Sequence, residues 1–330
     1  DHVSVSGVGF DIACGNMAVK TDMTARDISG KLEGIVKNIS QTIDFGVGGK
    51  YAESRKLEHS IFDDDEAWKK AGVEDLKDPA FVQLGTVGGG NHYVDLFVDR
   101  ADDHIWVGVH FGSRGLGHRT ATRYLKWAGG TDGMNVPPAL VELDSDLGQR
   151  YIGAMELAGR YAYAGREWVV AQVVKILGRP KVIQEVHNHH NYAWQETHGG
   201  RDLWVVRKGA TPAFPGQLGF VGGSMGDDAF IVQGKDTEAA RKNLYSTIHG
   251  AGRLFSRSVA KKTFIRSQMD AWLKERDIML VGGDLDESPM AYRRLDEVIK
   301  HHDDSVDVIS RLRPIAVLMA GKHEKDPYKD

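Results

Sequence analysis

Cysteine is nearly absent from this chain: Cys14 is the only one in 330 residues. One thiol excludes any disulfide within the chain, and with it the disulfide-stapled scaffold of many small secreted proteins. No apolar run approaches the roughly 18 residues of a membrane-spanning helix. The sequence begins at Asp1, and no basic-then-apolar stretch with a small-residue cleavage site precedes the first predicted element. A surplus of positive charge is also missing. The formal net charge is −4, so any contact with a polyanion has to use a local basic patch. There is no low-complexity linker, no internal repeat, and no Gly-x-Gly-x-x-Gly after the first strand. Together these absences predict a cytoplasmic globular protein with a single domain over residues 1–330 and no Rossmann-type nucleotide fold.

Glycine, by contrast, is plentiful: 39 of 330 residues, against a usual share of about 7%. The glycines cluster in "GTVGGGN", "FGSRGLG", "FVGGSMG", "IHGAGR" and "LVGGD". Glycine is the residue of choice where backbone approaches a ligand closely or takes positive φ, so these clusters mark candidate site loops.

Between the clusters, periodicity predicts the elements. Ile28, Leu32, Ile35 and Ile39 recur at helical spacing over 24–39. Residues 91–99 alternate as a strand, with His92, Val94, Leu96 and Val98 on one face. A second strand, 104–112, runs into a glycine loop. Residues 140–178 contain no proline after Pro138 and read as two successive helices. Strands are expected at 181–187, 203–209, 230–234 and 313–321, and helices at 253–264, 268–276 and 289–302. Helices and strands do not alternate strictly, which predicts an α+β fold of mixed sheets and surrounding helices.

Histidine is also abundant, with 14 residues. His92, His110, His190 and His249 each abut a glycine- or asparagine-containing turn beside a predicted element, and Asp11 and Cys14 share that setting. A thiolate, a carboxylate and several imidazoles brought together from separate turns form a plausible metal-ligand set. No Cys-x-x-Cys pair is present, so this is not a standard zinc motif. The stretch "HNHHNYAWQETH" (187–198) reads as a polar loop with His190 as its one ligand; His187, His189 and His198 stand behind the site or on the surface. "HGAGR" (249–253) is a site of another kind: its backbone N–H groups suit phosphate, Arg253 can clamp it, and a neutral His249 can act as base or nucleophile toward phosphorus. The segments 111–119 and 207–226 offer further backbone donors and basic side chains.

Six motifs, in order, carry a resemblance: "GFDIACGN", "GGGNHY", "HFGSRGLGH", "HHNYAWQE", "RKGATPAFPGQLGFVGGSMG" and "HGAGR". From about residue 7 to 321 the chain resembles the RtcB family of RNA ligases. The resemblance implies a large RtcB-like catalytic domain, without the further N-terminal segment that the family carries. It implies two manganese ions sharing the Cys14 thiolate, one completed by Asp11 and His92, the other by His110 and His190. It implies that His249 takes a guanylyl group from GTP. Asn91, Asp95, Asn191, Ser224, Met225, Gly226, Gly250, Ala251 and Gly252 would form the nucleotide site. Arg114 and Arg253 would contact RNA or phosphate, with Arg119, Arg123, Arg207, Lys208 and Arg257 as further basic residues. The implied partner is an RNA bearing a 3′-phosphate (or 2′,3′-cyclic phosphate) to be joined to a 5′-hydroxyl end. The resemblance also leaves room for an activating accessory protein.

Three positions depart from the family's pattern. The family commonly reads the guanine edge with a Glu three residues after the "NH" histidine; here that residue is Asp95. Ala229 stands where a serine usually follows the "GSMG" loop. Ala320 precedes Gly321 where the family often has Lys-Gly. These departures imply relaxed guanine choice. They keep a second reading open: a metal-dependent nucleotidyltransferase or phosphohydrolase acting in nucleic-acid end repair. A purely RNA-binding role is disfavoured, because a binder has no need of the ligand set.

Overall fold

The central sheet explains why the apolar strands carry no polar face. In the computed structural model, which describes residues 1–47, 57–133, 135–324 and 326–327, β3 (Tyr93–Asp99) is buried along its whole length. Chain order gives β1 (His2–Ser4), β2 (Gly15–Thr24), β3, β4 (His104–Phe111), β5 (Leu140–Glu142), β6 (Val182–His189), β7 (Asn191–His198), β8 (Arg201–Lys208) and β9 (Ala210–Pro212). Then follow β10 (Leu218–Val221), β11 (Ala229–Gly234), β12 (Ser246–Ile248), β13 (Met279–Val281) and β14 (Val306–Met319). Among the described residues the main sheet runs β10-β11-β14-β3-β4-β2-β6, with β13 beside β14. Among the described strand pairs of this sheet, only β13–β14 is parallel. The architecture is therefore the expected α+β.

Both sheet faces are covered. Val94, Leu96, Val98, Val107 and Val109 pack with Ile35, Val36 and Ile39 of one helix and with Val169, Val170 and Val173 of another. On the opposite face Tyr93, Phe97, Trp106, Phe220 and Ile231 meet Met269 and Leu273. A strand sandwiched this way gains from apolar residues at every position.

The 140–178 stretch departs from expectation. It opens with β5 and continues as one helix, Asp146–Ile176, not two. Ser145 caps it, its hydroxyl accepting from the Gly148 N–H at 3.0 Å. Its internal glycines permit close packing: a Cβ on Gly159 would stand 3.1 Å from the Tyr192 ring, and one on Gly165 would stand 3.2 Å from Phe111. The helix expected at 268–276 forms at full length as Arg266–Lys274, but others are shorter or divided. The 24–39 pattern divides into Ala25–Ile28 and Leu32–Thr42 around Gly30, which takes φ 72°. The helix expected at 253–264 covers only Arg257–Thr263, and 289–302 holds only a short helix, Leu295–Ile299, between two 3-10 turns. The supposed polar loop at 187–198 is strand: the end of β6, then β7 paired with β8.

Candidate active site

Antiparallel order places the ligand candidates together. β3, β4, β2 and β6 are neighbours, so the starts of β2 and β3 lie at the same sheet end as the finishes of β4 and β6. His92 immediately precedes β3, Cys14 immediately precedes β2, His110 is the penultimate residue of β4, and His190 immediately follows β6. In register, Gly15 faces both Phe111 and His189, and His110 faces both Asn16 and Tyr93. Four chain segments remote in sequence thus meet through ordinary ladder pairing.

The turn before β2 aims two of these groups. The Cys14 N–H donates to the Asp11 carbonyl at 3.1 Å, and Ala13 sits at φ 60°, a conformation costly for a residue with a Cβ. The surroundings hold it there: Ala13 N–H donates to Asn191 O (2.8 Å) and His190 N–H to Cys14 O (2.8 Å). Gly112 leaves room for the carboxylate, since a Cβ there would stand 2.0 Å from Asp11 Oδ1.

Two buried ligand sets result, Asp11–Cys14–His92 and Cys14–His110–His190, with potential ligand atoms within 4.8 Å of one another in each. Cys14 belongs to both. Its Sγ is 3.8 Å from His92 Nε2 and 3.7 Å from His110 Nε2. Sulfur and nitrogen ligands of one tetrahedral ion, at about 2.3 and 2.1 Å from it, stand about 3.6 Å apart. The far ring nitrogens are occupied: His110 Nδ1 is 2.6 Å from Asn16 Oδ1 and His92 Nδ1 is 3.0 Å from Val87 O. The Asn16 bond directs an unprotonated Nε2 of His110 at the thiol, the usual disposition of a metal-binding imidazole, whereas His92 Nδ1 also meets Arg114 Nη1 at 3.2 Å. Asp11 Oδ2 lies 3.1 Å from His92 Nε2. His190 Nδ1 is buried with no hydrogen-bond partner. Such an orphaned lone pair next to a thiol fits metal ligation, and thiolate with imidazole favours a transition metal over magnesium or calcium.

The electrostatics agree. Burial works to raise the Asp11 carboxyl, but hydrogen bonding and charge from His92, with Arg114 and Cys14, hold it below the usual range. Burial, reinforced by neighbouring imidazoles and Arg166, pushes His110 and His190 well below ordinary imidazole values, so both are neutral.

His249 follows β12, which pairs with β9, and its ring centroid lies 4.7 Å from that of His190. Burial pushes its pKa down, and the Gly209 backbone pulls the other way. Gly209 takes φ 65°, and a Cβ there would stand 3.1 Å from the His249 ring. The ring opens onto a cavity of about 390 Å³ lined by Asn91, Asp95, His110, Ser224, Met225 and Gly250–Gly252, among others.

Most sequence candidates therefore converge. Two nucleotide-site candidates, Asn191 and Gly226, do not line the cavity. Asn191 works behind it, donating from Nδ2 to Asp11 O (3.2 Å) and accepting at Oδ1 from Gly209 N–H (2.8 Å). Gly226 packs on Trp272. Arg114 is buried, with Nη1 3.2 Å from His92 Nδ1 and Nη2 paired with Asp326. Arg253 does line the cavity, bonded to Glu287 (2.9 Å) and Tyr292 (2.7 Å). Of the further basic residues, Arg207 is paired with Glu196 and Arg123 with Asp75. Sequence reasoning missed Asn16, Tyr93, Glu287 and Tyr292 in the cavity wall. Asn16 had a signal, its place two residues after Cys14; Glu287 and Tyr292 had none.

Comparison with known proteins identifies the family. The family model described as "RtcB: tRNA-splicing ligase RtcB" matches residues 1–320. The chain is 32% identical over 348 residues to RNA-splicing ligase RtcB of Escherichia coli K12, covering 94% of this chain and 82% of that protein. It is 29% identical to tRNA-splicing ligase RtcB of Thermococcus kodakarensis (96% and 81% covered) and 31% identical to that of Nanoarchaeum equitans (94% and 81%).

Proposed function

This chain belongs to the RtcB family, and we propose that it joins an RNA 3′-phosphate end to a 5′-hydroxyl end, using GTP and two manganese ions, with His249 as the nucleophile. The observation that supports this most is a half-buried His249, its pKa pushed down by burial, against the Cys14–His110–His190 set and lining a glycine-walled cavity.

The proposed sequence follows from what the side chains offer. The neutral His249 ring presents a nitrogen lone pair to the α-phosphorus of GTP; the N–P bond forms and pyrophosphate leaves. An RNA 3′-phosphate oxygen then takes the guanylyl group, and the imidazole is restored. The 5′-hydroxyl attacks the activated 3′-phosphorus, and GMP departs. The backbone of Gly250–Gly252 and the side chain of Asn91 line the space for the nucleotide. Bound metal ions would neutralise phosphate charge and fix the reacting oxygens. Asp11, Cys14 and His92 would hold one ion, and Cys14, His110 and His190 the other.

The test is a joining assay with 3′-phosphate and 5′-hydroxyl RNA, GTP and Mn²⁺. Joined product from the wild type and none from His249→Ala supports the proposal. Trapped nucleotide without joined RNA would favour an end-repair nucleotidyltransferase instead.

A further inference from the structure

Behind the ligand sets lies a buried cation that the reaction above does not use. Arg166 sits on the helix Asp146–Ile176 and is fully buried. Among the described residues, no carboxylate lies within ion-pair distance of it. Burial pulls its pKa down to about 10, with the charges of Tyr163, Cys14 and Asp11 opposing the fall, so it remains cationic at neutral pH. A guanidinium is kept in such a place only if its donors are satisfied.

They are satisfied by the strand ends that carry one ligand set. Arg166 Nη1 donates to Phe111 O at 2.6 Å and to Ala13 O at 3.1 Å. Nη2 lies 3.1 Å from His189 Nδ1, a nitrogen that also meets Ala13 O at 3.2 Å, and Nε donates to His187 Nε2 at 2.9 Å. Ala13 adjoins Cys14, Phe111 adjoins His110, and His189 adjoins His190. One planar group therefore grips the neighbour of every member of the Cys14–His110–His190 set. It makes no such contact beside His92. His187, pushed well down by burial and by Arg166 itself, is neutral and able to accept.

We propose that Arg166 is the positioning residue of the Cys14–His110–His190 metal site, setting the spacing of its three ligands while leaving the Asp11–Cys14–His92 site to other supports. The inference rests on the metal-centre reading above. A guanidinium suits the task because its donors diverge in one rigid plane, whereas a lysine ammonium offers three donors from one atom and cannot span three strands.

Metal counting on the folded protein tests this without reference to activity. Metal-free protein is titrated with Co²⁺, followed by thiolate-to-cobalt absorption and by metal analysis. Wild type is expected to take up two ions per chain. Arg166→Met is expected to bind one with unchanged affinity and the other about 10- to 100-fold more weakly, the usual cost of losing a group that orients ligands. Arg166→Lys keeps the buried charge and is expected to show the same selective loss, which preserves the test if the Met variant fails to fold. A wild type with two ions and variants binding both as tightly would overturn the role of Arg166 alone, even if the variants melt earlier. Equal weakening of both ions would overturn it too. A wild type that binds no ion would instead defeat the metal-centre reading on which the proposal stands.

Discussion

Asn16 and His110 face each other across β2 and β4, with Asn16 Oδ1 2.6 Å from His110 Nδ1. The Asn16 amide is fixed from its other end, because Nδ2 donates to Phe220 O at 2.8 Å. The orientation of the asparagine therefore sets the tautomer of the histidine and directs the Nε2 lone pair toward Cys14. Asn16→Leu removes the acceptor while keeping similar bulk. It should weaken metal binding about 10- to 100-fold without loss of fold, as read by metal titration alongside circular dichroism. Unchanged affinity would separate Asn16 from the site.

Cys14 is the one residue shared by both ligand sets. Cys14→Ala should therefore remove both ions, whereas His92→Ala and His190→Ala should each weaken one far more than the other. Metal content after gel filtration distinguishes the three variants. Two ions retained by the alanine variant would show that the thiolate is not shared.

Acid should destabilise the metal-free protein. His110, His189 and His190 are held well below the ordinary imidazole range, first by burial. In the unfolded chain each protonates near a pKa of about 6.5. Below that value the unfolded state binds protons that the folded state refuses, so the stability is present above it and lost as pH falls. The loss is on the order of 1 kcal/mol per histidine for each pH unit below that point. Melting temperature measured without metal should fall steeply from about pH 6.5 to 5.5; a flat profile would contradict neutral burial of these rings.

Asp95 lines the cavity, and its Oδ1 is buried without a hydrogen-bond partner. Burial pushes its carboxyl well above the usual range. Its short side chain predicts weak discrimination between GTP and ATP. Asp95→Glu should raise the GTP preference on the order of tenfold, the worth of one added hydrogen bond at about 1.5 kcal/mol. Competition labelling with the two nucleotides measures the ratio. Strict GTP use by the unaltered protein would refute this account of Asp95.

Much of the site was legible because its ligands sit in turns with their own signatures. Asp11, Cys14, His92, His110, His190 and His249 each lie in or next to a turn containing glycine or asparagine, and all six converge. What periodicity concealed was tertiary support. Arg166 lies within a long helical pattern and looks like any basic helix residue, and only the sheet beneath it gives it acceptors. His187 and His189 read as polar loop because alternation at the end of β6 is obscured when both strand faces are covered. The 140–178 stretch reads as two helices, yet Asp146–Ile176 runs as one, with Tyr192 and Phe111 packed against its Gly159 and Gly165.

The central claim is that a metal pair sharing Cys14 serves a nucleophilic His249. It is tested most directly by incubating the protein with Mn²⁺ and α-labelled GTP and mapping the trapped label. The account predicts an acid-labile label on His249 that requires metal and is absent from His249→Ala and Cys14→Ala. Label on another residue, or undiminished labelling of His249→Ala, would contradict it.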